Sequence, residues 1–204
     1  MQDVYVNTWK RITPGCSRKD QVDMPFDEKY FSTHTYANIT FAKYSMYWWS
    51  NRFFAMLAKR YGRRGARLLE VGSGMGHLVG QLSAEFEAYG MDLNHWAVNK
   101  SKEFSEAAFL QTASAQELPY EDGAFNVVII KHIVEHLPQP EKALNEIGRV
   151  VEAGGILILP SRNMYQYLTD RIGNYSEIEP YFPVWRNLQI NEGVLAVIEI
   201  EHDA

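Results

Sequence analysis

The sequence predicts an α/β domain in which a mostly parallel sheet carries helices on both faces. From Arg67 to Pro160, short apolar runs alternate strictly with helical stretches. This alternation indicates a parallel sheet, because two consecutive strands can run parallel only if a connection about as long as a helix joins them. One run, Val127–Ile130, is apolar at every position, which suits a central strand buried on both sides. Together these patterns predict a doubly wound, Rossmann-like fold.

The segment before the sheet is predicted to be an extension of the domain. The first 25 or so residues are polar and end at Pro25, which is typical of a loosely ordered arm. From Ile39 to Arg60 there is no Gly or Pro, and apolar side chains recur at helical spacing, which predicts one long helix. We therefore expect an N-terminal arm and helical lid over 1–62 and the main domain over 63–204.

The remaining elements follow in order along the chain. Strands are expected at 68–71, 88–92, 108–112, 125–130 and 155–160, and helices at 78–86, 95–106 and 141–151. After Pro160 only Val194–Ile200 reads as a strand. Either a second strand lies between Tyr181 and Ile190, or the C-terminal edge of the sheet is incomplete. An open edge made by so apolar a strand would favour a homodimer.

Composition limits the class of protein. The chain has 204 residues and a net charge of −5, which favours one globular domain and argues against a nucleic-acid partner. No run is long and apolar enough for a membrane span, and the start does not resemble a signal peptide, so a cytoplasmic location is expected. Cys16 is the only cysteine, which excludes an intramolecular disulfide.

A glycine-rich turn follows the first strand. Gly72, Gly74 and Gly76 lead directly into a helix, so a ligand could touch bare backbone and meet free helix N–H groups. Asp92 closes the second strand, 20 residues after Gly72, where a carboxylate can accept both hydroxyl hydrogens of a ribose. The glycine-rich turn and Asp92 together predict a site for an adenosine-containing cofactor. The alternative is that the turn only allows the strand to pack on the helix.

Two cofactors fit such a turn. Nicotinamide enzymes use Gly-x-Gly-x-x-Gly, which would require glycine where His77 stands, although a shifted frame from Gly74 to Gly80 resembles a variant of that loop. Glu70, two residues before the first glycine, would repel a pyrophosphate but could reach a cationic amino-acid ligand. The residues therefore favour S-adenosylmethionine over a nicotinamide cofactor.

Six short segments then appear in one order between about residues 66 and 160: Leu68–Gly76, Gly90–Leu93, Ala113–Tyr120, Phe125–Val128, Glu135–Leu137 and Gly154–Leu157. In this order they resemble the class I S-adenosylmethionine-dependent methyltransferases, and within them the type 11 group that includes the ubiquinone and menaquinone biosynthesis methyltransferases. The resemblance implies S-adenosylmethionine as cofactor, S-adenosylhomocysteine as product and a small-molecule methyl acceptor as partner.

The resemblance also implies roles for particular residues. The amino-acid end of the cofactor would be held by Glu70, Gly72, Ser73, Gly74 and Gly76. Asp92 would hold the ribose hydroxyls and Leu93 one face of the adenine, with Ser114, Ala115 and Gln116 along the adenine edge and Lys131 at the rim of the crevice. Many relatives have aspartate where Ser114 and Asn126 stand, so two charges are missing here and the tightness of cofactor binding comes into question.

Catalytic candidates follow the fourth strand. His132 and His136 could take a proton from an attacking oxygen or nitrogen; the alternative for His136 is a packing and hydrogen-bonding role. A metal site is a further possibility for Glu135 and these two histidines. His132 and His136 are four residues apart and could share a helix face, but a third metal ligand is not evident. No metal is therefore predicted. Methyl transfer is an in-line displacement that needs mainly alignment and exclusion of water, so no catalytic triad is expected.

Aromatic residues flank the predicted domain. Ten lie between Tyr30 and Phe54, and one hypothesis is that Tyr36, Tyr44 and Trp48 line an aromatic acceptor pocket and stabilise the sulfonium by cation–π attraction. The alternative is that these rings simply pack on the sheet. Two other functions also remain open from the sequence: an NAD(P)-dependent oxidoreductase, and a non-catalytic cofactor-binding or interaction domain of the same fold.

Overall fold

The computed structural model describes residues 40–131, 133–137, 139–159, 185–191 and 195–200. Cys16, Tyr36 and His132 therefore lie outside the described residues. The helices are α1 (Met46–Tyr61), α2 (His77–Leu82), α3 (His95–Ser101) and α4 (Pro140–Val150), with a 3-10 turn at Val134–His136. The strands are β1 (Arg67–Val71), β2 (Glu87–Asp92), β3 (Phe109–Thr112), β4 (Phe125–Ile130), β5 (Val151–Leu159), β6 (Trp185–Asn191) and β7 (Leu195–Ile200).

The strands form one sheet in the order β3-β2-β1-β4-β5-β7-β6. Strands β1 to β5 are all parallel, and β7 runs antiparallel between β5 and β6. The order reverses direction at β1, with β2 on one side and β4 on the other. Such a switch point opens a crevice at the carboxyl ends of the strands. The predicted Rossmann-like, mostly parallel sheet is confirmed.

The C-terminal edge carries two strands, so the first of the two sequence alternatives holds. Trp185–Asn191 was hard to detect because its pairing shifts register between Arg186 and Gln189, which breaks the two-residue alternation of a regular strand. Strand Leu195–Ile200 is internal to the sheet. The homodimer prediction rested on this strand being an open edge, and that premise is wrong.

The helix before the sheet begins later than predicted. Ser45 is its N-cap, and the Ser45 hydroxyl accepts a hydrogen bond from the Trp48 N–H at 3.1 Å. Tyr44 has φ of +71°, a left-handed conformation that cannot continue a helix. The absence of Gly and Pro from Ile39 to Arg60 therefore did not show where α1 starts. The hydrogen bond to the N-cap determines its first residue.

Two helices inside the domain are shorter than predicted. The third helix ends at Ser101, not near Glu106, and the second ends at Leu82. Beyond Ser101 the chain turns back against α2, where a Cβ on Gly80 would lie 2.2 Å from the Phe104 carbonyl oxygen. This backbone contact depends on a glycine in α2, and it places Ser101 and Ser105 beside the glycine-rich turn.

Two apolar clusters sandwich the sheet. Helix α4 packs on one face through Ala143, Ile147 and Val150. On the other face α1 and α2 share a cluster that includes Phe54 and Leu78. All six residues of β4 are buried, as the apolar run predicted. Because α1 contributes to the same cluster as α2, its direction is set by the sheet, and its N-terminal end reaches the crevice.

Candidate active site

The glycine-rich turn adopts a conformation that requires glycine. Gly72, Gly74 and Gly76 all have positive φ, at +75°, +52° and +77°, where other residues are strained. A Cβ on Gly76 would also lie 2.5 Å from Ser101 Cβ and 2.7 Å from Ser105 Oγ. The turn is held to β2, since the Gly72 and Ser73 N–H groups donate to the Met91 carbonyl at 2.8 and 2.9 Å. The result is a rigid backbone cradle at the carboxyl end of β1.

Asp92 fastens this cradle from the neighbouring strand. Its Oδ2 accepts from the Gly74 N–H at 2.9 Å, and its Oδ1 accepts from the Asn94 N–H at 2.9 Å. Burial raises the pKa of Asp92, and these N–H donors oppose the rise. Each carboxylate oxygen keeps a lone pair for a further donor. Leu93 beside it leaves 58% of its side chain exposed, as a platform for an apolar ring would require.

Glu70 is the buried acid of the site. It is 2% exposed and lies in β1 opposite Gly90 and Ile129. Burial raises its pKa to about 7, although the nearby Lys131 ammonium acts in the opposite direction. Among the described residues its Oε2 has no hydrogen-bond partner. A buried carboxylate oxygen without a donor is costly, so this atom is suited to a cationic group that enters the crevice.

A second unsatisfied atom lies in the turn itself. Ser73 is buried, and within the described residues its Oγ also has no partner. Two unsatisfied buried oxygens, one on Glu70 and one on Ser73, therefore border the same glycine cradle. Polar groups of this kind are normally satisfied in folded proteins. The site fits the amino-acid end of S-adenosylmethionine, which carries N–H donors and a positive charge.

Lys131 places a cation opposite Glu70. It follows β4 directly, and its ammonium donates a hydrogen bond to Asn51 Oδ1 and lies 5.7 Å from the centroid of the Phe54 ring. Burial lowers the pKa of Lys131, while Glu70 raises it. The crevice thus holds a buried carboxyl group and a buried amine, whose ionised forms would match the two charges of a zwitterionic amino-acid group.

His77 closes the turn at the start of α2. Its ring stacks on Phe41 with centroids 3.9 Å apart and lies 4.3 Å from the Phe104 centroid. Burial, and then the charge of Lys131, lower the pKa of His77, which favours the neutral ring. A histidine in this stacked position fills the space where the Gly-x-Gly-x-x-Gly pattern would need glycine.

The predicted adenine edge lies beside Asp92. The Ala113 N–H donates to the Asp92 carbonyl at 3.1 Å, which attaches the following turn to the end of β2. Ser114 Oγ accepts from the Gln116 N–H at 3.2 Å, and Gln116 Oε1 accepts from the Gln139 N–H at 2.9 Å. Ala115 is buried. The serine therefore stabilises its own turn and still has a hydroxyl hydrogen to donate.

Asn126 does not belong to the site. It lies near the amino end of β4, where its Oδ1 accepts from the Arg63 N–H and its Nδ2 donates to Glu152 Oε1, both at 2.8 Å. The crevice is at the opposite end of this strand. The expectation that Asn126 takes a position at the cofactor is therefore wrong, because the length of β4 separates Asn126 from the glycine turn.

The catalytic and acceptor candidates are only partly described. His136 is exposed in the 3-10 turn after β4, and His132 is outside the described residues. Tyr44 is 64% exposed and Trp48 half-buried, with ring centroids 5.3 Å apart. Because Tyr44 is exposed, the alternative that its ring simply packs on the sheet is wrong for Tyr44. The acceptor role of Tyr36, Tyr44 and Trp48 stays a prediction.

Sequence reasoning missed three contributors to the site: Phe41, Asn51 and Ile133. Phe41 stacks on His77, and Ile133 Cγ2 would lie 2.4 Å from a Cβ on Gly72. Asn51 could have been found, since it is the polar member of a buried helix face that also holds Phe54, Ala55, Leu57 and Ala58. In the part of the chain that the structure describes, no group of three or more His, Cys, Asp or Glu could hold a metal ion.

Family models match two parts of the chain. One, described as methyltransferase domain, matches residues 69–159, which carry the glycine turn, Asp92 and Lys131. Residues 69–159 are therefore similar to a methyltransferase domain. The matched residues include every predicted cofactor residue from Glu70 to Lys131.

Curated relatives are named for the same activity as this family model. Phosphatidylethanolamine N-methyltransferase of Cereibacter sphaeroides is 30% identical over 108 residues, which are 50% of this chain and 53% of that enzyme. Ubiquinone/menaquinone biosynthesis C-methyltransferase of Idiomarina loihiensis is 31% identical over 109 residues, which are 48% of this chain and 43% of that enzyme. The chain thus spans about half the length of these relatives.

Solved structures support the fold. A proposed S-adenosyl-L-methionine-dependent methyltransferase from Methanococcus maripaludis has a TM-score of 0.63 at 13% identity, with 93% of this chain and 99% of that chain covered. A TehB-like SAM-dependent methyltransferase from Corynebacterium glutamicum has a TM-score of 0.58 at 17% identity, covering 78% of this chain and 96% of that one. At these identities the likeness shows the fold alone.

The C-terminal part resembles a different class of protein. A family model described as restriction endonuclease BamHI matches residues 142–204, so it overlaps the methyltransferase domain over α4 and β5. The type II restriction enzyme OkrAI of Oceanobacter kriegii is 63% identical over 51 residues, which are 25% of this chain and 26% of that enzyme. The sequence analysis found only one strand after Pro160 and missed this likeness.

Proposed function

We propose that this chain is an S-adenosylmethionine-dependent methyltransferase that acts on a small-molecule acceptor. The proposal rests on one arrangement: a glycine cradle fastened by Asp92, with the unsatisfied oxygens of Glu70 and Ser73 at its border. A nicotinamide cofactor would bring a pyrophosphate to the same cradle. Repulsion from an ionised Glu70 and the stacked ring of His77 both oppose that ligand.

Each part of the cofactor is proposed to bind a different residue of the site. Glu70 attracts the ammonium of the amino-acid end, and the ammonium of Lys131 attracts its carboxylate. Asp92 accepts hydrogen bonds from the ribose hydroxyls while it holds Gly74 in place. Leu93 contacts one face of the adenine, and the turn formed by Ser114, Ala115 and Gln116 borders its edge.

Methyl transfer needs alignment more than acid–base chemistry. When bound, S-adenosylmethionine supplies a methyl group on a positively charged sulfur that is already a good leaving group. The chain then has to orient the acceptor on the far side of that methyl group and exclude water. We propose His132 and His136, after β4, as candidates to accept a proton from the acceptor, and Tyr36, Tyr44 and Trp48 as its contacts.

The acceptor is proposed to be largely apolar. Relatives named for phosphatidylethanolamine, for ubiquinone and menaquinone, and for tocopherol methylation each match about half of this chain. Around the crevice, Leu93 and Phe104 are exposed, and Phe41 lies on His77. An apolar rim of this kind favours an acceptor with a sizeable apolar part.

Calorimetry with S-adenosylhomocysteine and with NADH tests the cofactor. We expect the first to bind and the second not to bind. Asp92→Asn should weaken S-adenosylhomocysteine binding about tenfold to a hundredfold, because an amide keeps one acceptor oxygen where the carboxylate has two. Asp122→Asn is a matched control, since Asp122 pairs with Arg149 away from the turn. Tight binding of NADH alone, or an unchanged affinity in Asp92→Asn, contradicts the proposal.

Formation of S-adenosylhomocysteine with a panel of apolar acceptors distinguishes an enzyme from a non-catalytic binding domain. Cofactor binding without turnover on any acceptor, in a chain whose Asp92→Asn variant binds weakly, would favour the non-catalytic alternative. We keep the division into an extension over 1–62 and a methyltransferase domain over 63–204 as a proposal.

The segment that resembles a restriction endonuclease is proposed to complete the sheet and not to cleave DNA. Strands β5, β6 and β7 lie within residues 142–204, and β7 pairs with β5 from Gly155 to Leu159. The chain covers about a quarter of the restriction enzyme. Incubation of the full chain with plasmid DNA and Mg²⁺ tests this, and specific cleavage would overturn it.

A further inference from the structure

Helix α1 presents an apolar face away from the core. Met46, Trp49, Phe53 and Met56 are spaced by three or four residues, so they form one stripe along the helix, and their exposed fractions are 76%, 54%, 43% and 53%. The opposite face of the helix is buried against the sheet. Side chains of this size are usually covered when they form a continuous surface. We call these four residues the exposed stripe.

The chain segment that carries the exposed stripe has charged side chains of one sign only. Between residues 40 and 66 there are six cationic side chains and no Asp or Glu, in a chain whose net charge is −5. The cations are Lys43, Arg52, Lys59, Arg60, Arg63 and Arg64. The acids that pair with this segment come from elsewhere, as with Lys59 to Glu85 and Arg63 to Glu152. The chain thus concentrates positive charge beside an exposed apolar surface.

Three of these cations lie against aromatic rings. Lys43 is 4.9 Å from the Tyr44 ring centroid, Arg52 is 5.4 Å from that of Trp48, and Arg60 is 5.9 Å from that of Tyr61. Aromatic rings with adjacent Lys or Arg are the side chains that occupy the boundary between lipid headgroups and acyl chains. Both ends of α1 carry such pairs.

From this combination we propose that α1 docks on the surface of an anionic lipid bilayer, with the exposed stripe in the acyl boundary and the cations at the headgroups. A bilayer offers an apolar layer and negative charge together, which is what an amphipathic helix of this composition binds. A second copy of the chain would bring this cationic segment against the same cationic segment, which opposes self-association through this face. The helix has 16 residues, and no helix in the described residues is long and apolar enough to cross a membrane.

Docking would also orient the crevice. The segment before α1 contacts the glycine turn through the stack of Phe41 on His77, and Asn51 contacts Lys131 at the carboxyl end of β4. A bilayer under α1 would therefore lie near the crevice, where an acceptor dissolved in lipid could enter. This orientation rests on the proposed function, whereas the docking itself does not.

The test is co-sedimentation of the full chain with vesicles of phosphatidylcholine, with and without phosphatidylglycerol, in the absence of cofactor and acceptor. We expect binding to the anionic vesicles, weaker binding to the neutral ones, and a loss of binding at high salt because the headgroup attraction is screened. Trp49→Ser combined with Phe53→Ser should lower binding about tenfold or more. Arg52→Glu combined with Arg60→Glu should lower it on anionic vesicles only.

Matched controls come from exposed residues on other elements. Phe109→Ser removes an apolar side chain of similar exposure on β3, and Lys102→Glu reverses a charge after α3; both should bind vesicles as the unaltered chain does. Thermal unfolding checks that all variants are folded. Failure to bind anionic vesicles, equal binding to both compositions, or a dimer that Trp49→Ser abolishes would each overturn the docking. Calorimetry with S-adenosylhomocysteine on the same samples reports separately on the proposed function.

Discussion

Replacing Glu70 with glutamine should remove a pH dependence from the stability of the chain. Burial raises the pKa of Glu70 from its ordinary value of 4.5 to about 7. Because the folded state prefers the protonated acid, this group favours folding most at pH values below 4.5, and that contribution is lost as the pH rises through about 7. Glutamine has a similar shape and does not titrate, so its contribution stays constant.

The size of this pH dependence follows from the shift in the pKa of Glu70. A rise of the pKa from 4.5 to about 7 corresponds to about 3 kcal/mol in full, most of which falls between about pH 5 and about pH 8. The glutamine amide would leave an N–H group where Oε2 has no partner among the described residues, which costs about 1–3 kcal/mol at every pH. The quantity to compare is therefore the change with pH and not the absolute stability.

Urea unfolding of both proteins at about pH 5 and about pH 8 measures this change. We expect the free energy of unfolding of Glu70→Gln, relative to the unaltered chain, to rise by about 2 to 3 kcal/mol from the lower to the higher pH. In a Lys131→Met background the rise should be larger, because the cation that lowers the pKa of Glu70 is gone. A rise below about 1 kcal/mol would refute the reasoning. S-adenosylhomocysteine should bind the unaltered chain more tightly as the pH rises through about 7, and Glu70→Gln should lack this trend.

Two further substitutions probe the contacts around the site. Gly76→Ala should lower the free energy of unfolding by about 2 kcal/mol more than Gly65→Ala does. Both glycines have φ of +77°, but only a Cβ at Gly76 would meet Ser101 and Ser105. Equal losses in urea unfolding would show that backbone strain alone, and not packing, requires glycine at Gly76. Asn51→Leu should destabilise by about 1–3 kcal/mol by leaving the buried Lys131 ammonium without its acceptor, and adding Lys131→Met should recover most of that loss; an additive double-mutant cycle would contradict the pairing.

Local sequence was enough for most of the fold and for the places of the glycine turn and Asp92 within it. Three features follow from rules that act over a few residues. Strand β4 follows from the burial of apolar side chains, and the glycine turn follows from the backbone freedom of glycine. The acid at the end of β2 follows from the hydrogen bonds that a carboxylate can accept from ribose hydroxyls. The parallel order of β1 to β5 follows as well, since alternation of strands and helices leaves few other arrangements.

Tertiary structure decided what depends on contacts between distant segments. Asn51 and Lys131 are 80 residues apart, and only the packing of α1 on the sheet brings them together. Asn126 is near a motif in sequence but lies at the far end of its strand, bonded to Arg63 and Glu152. Strand β6 escapes a periodicity argument because of its register shift, and its place outside β7 makes an apolar strand internal that the sequence alone suggested was an edge. Local patterns determine which elements form; long-range packing determines which side chains meet.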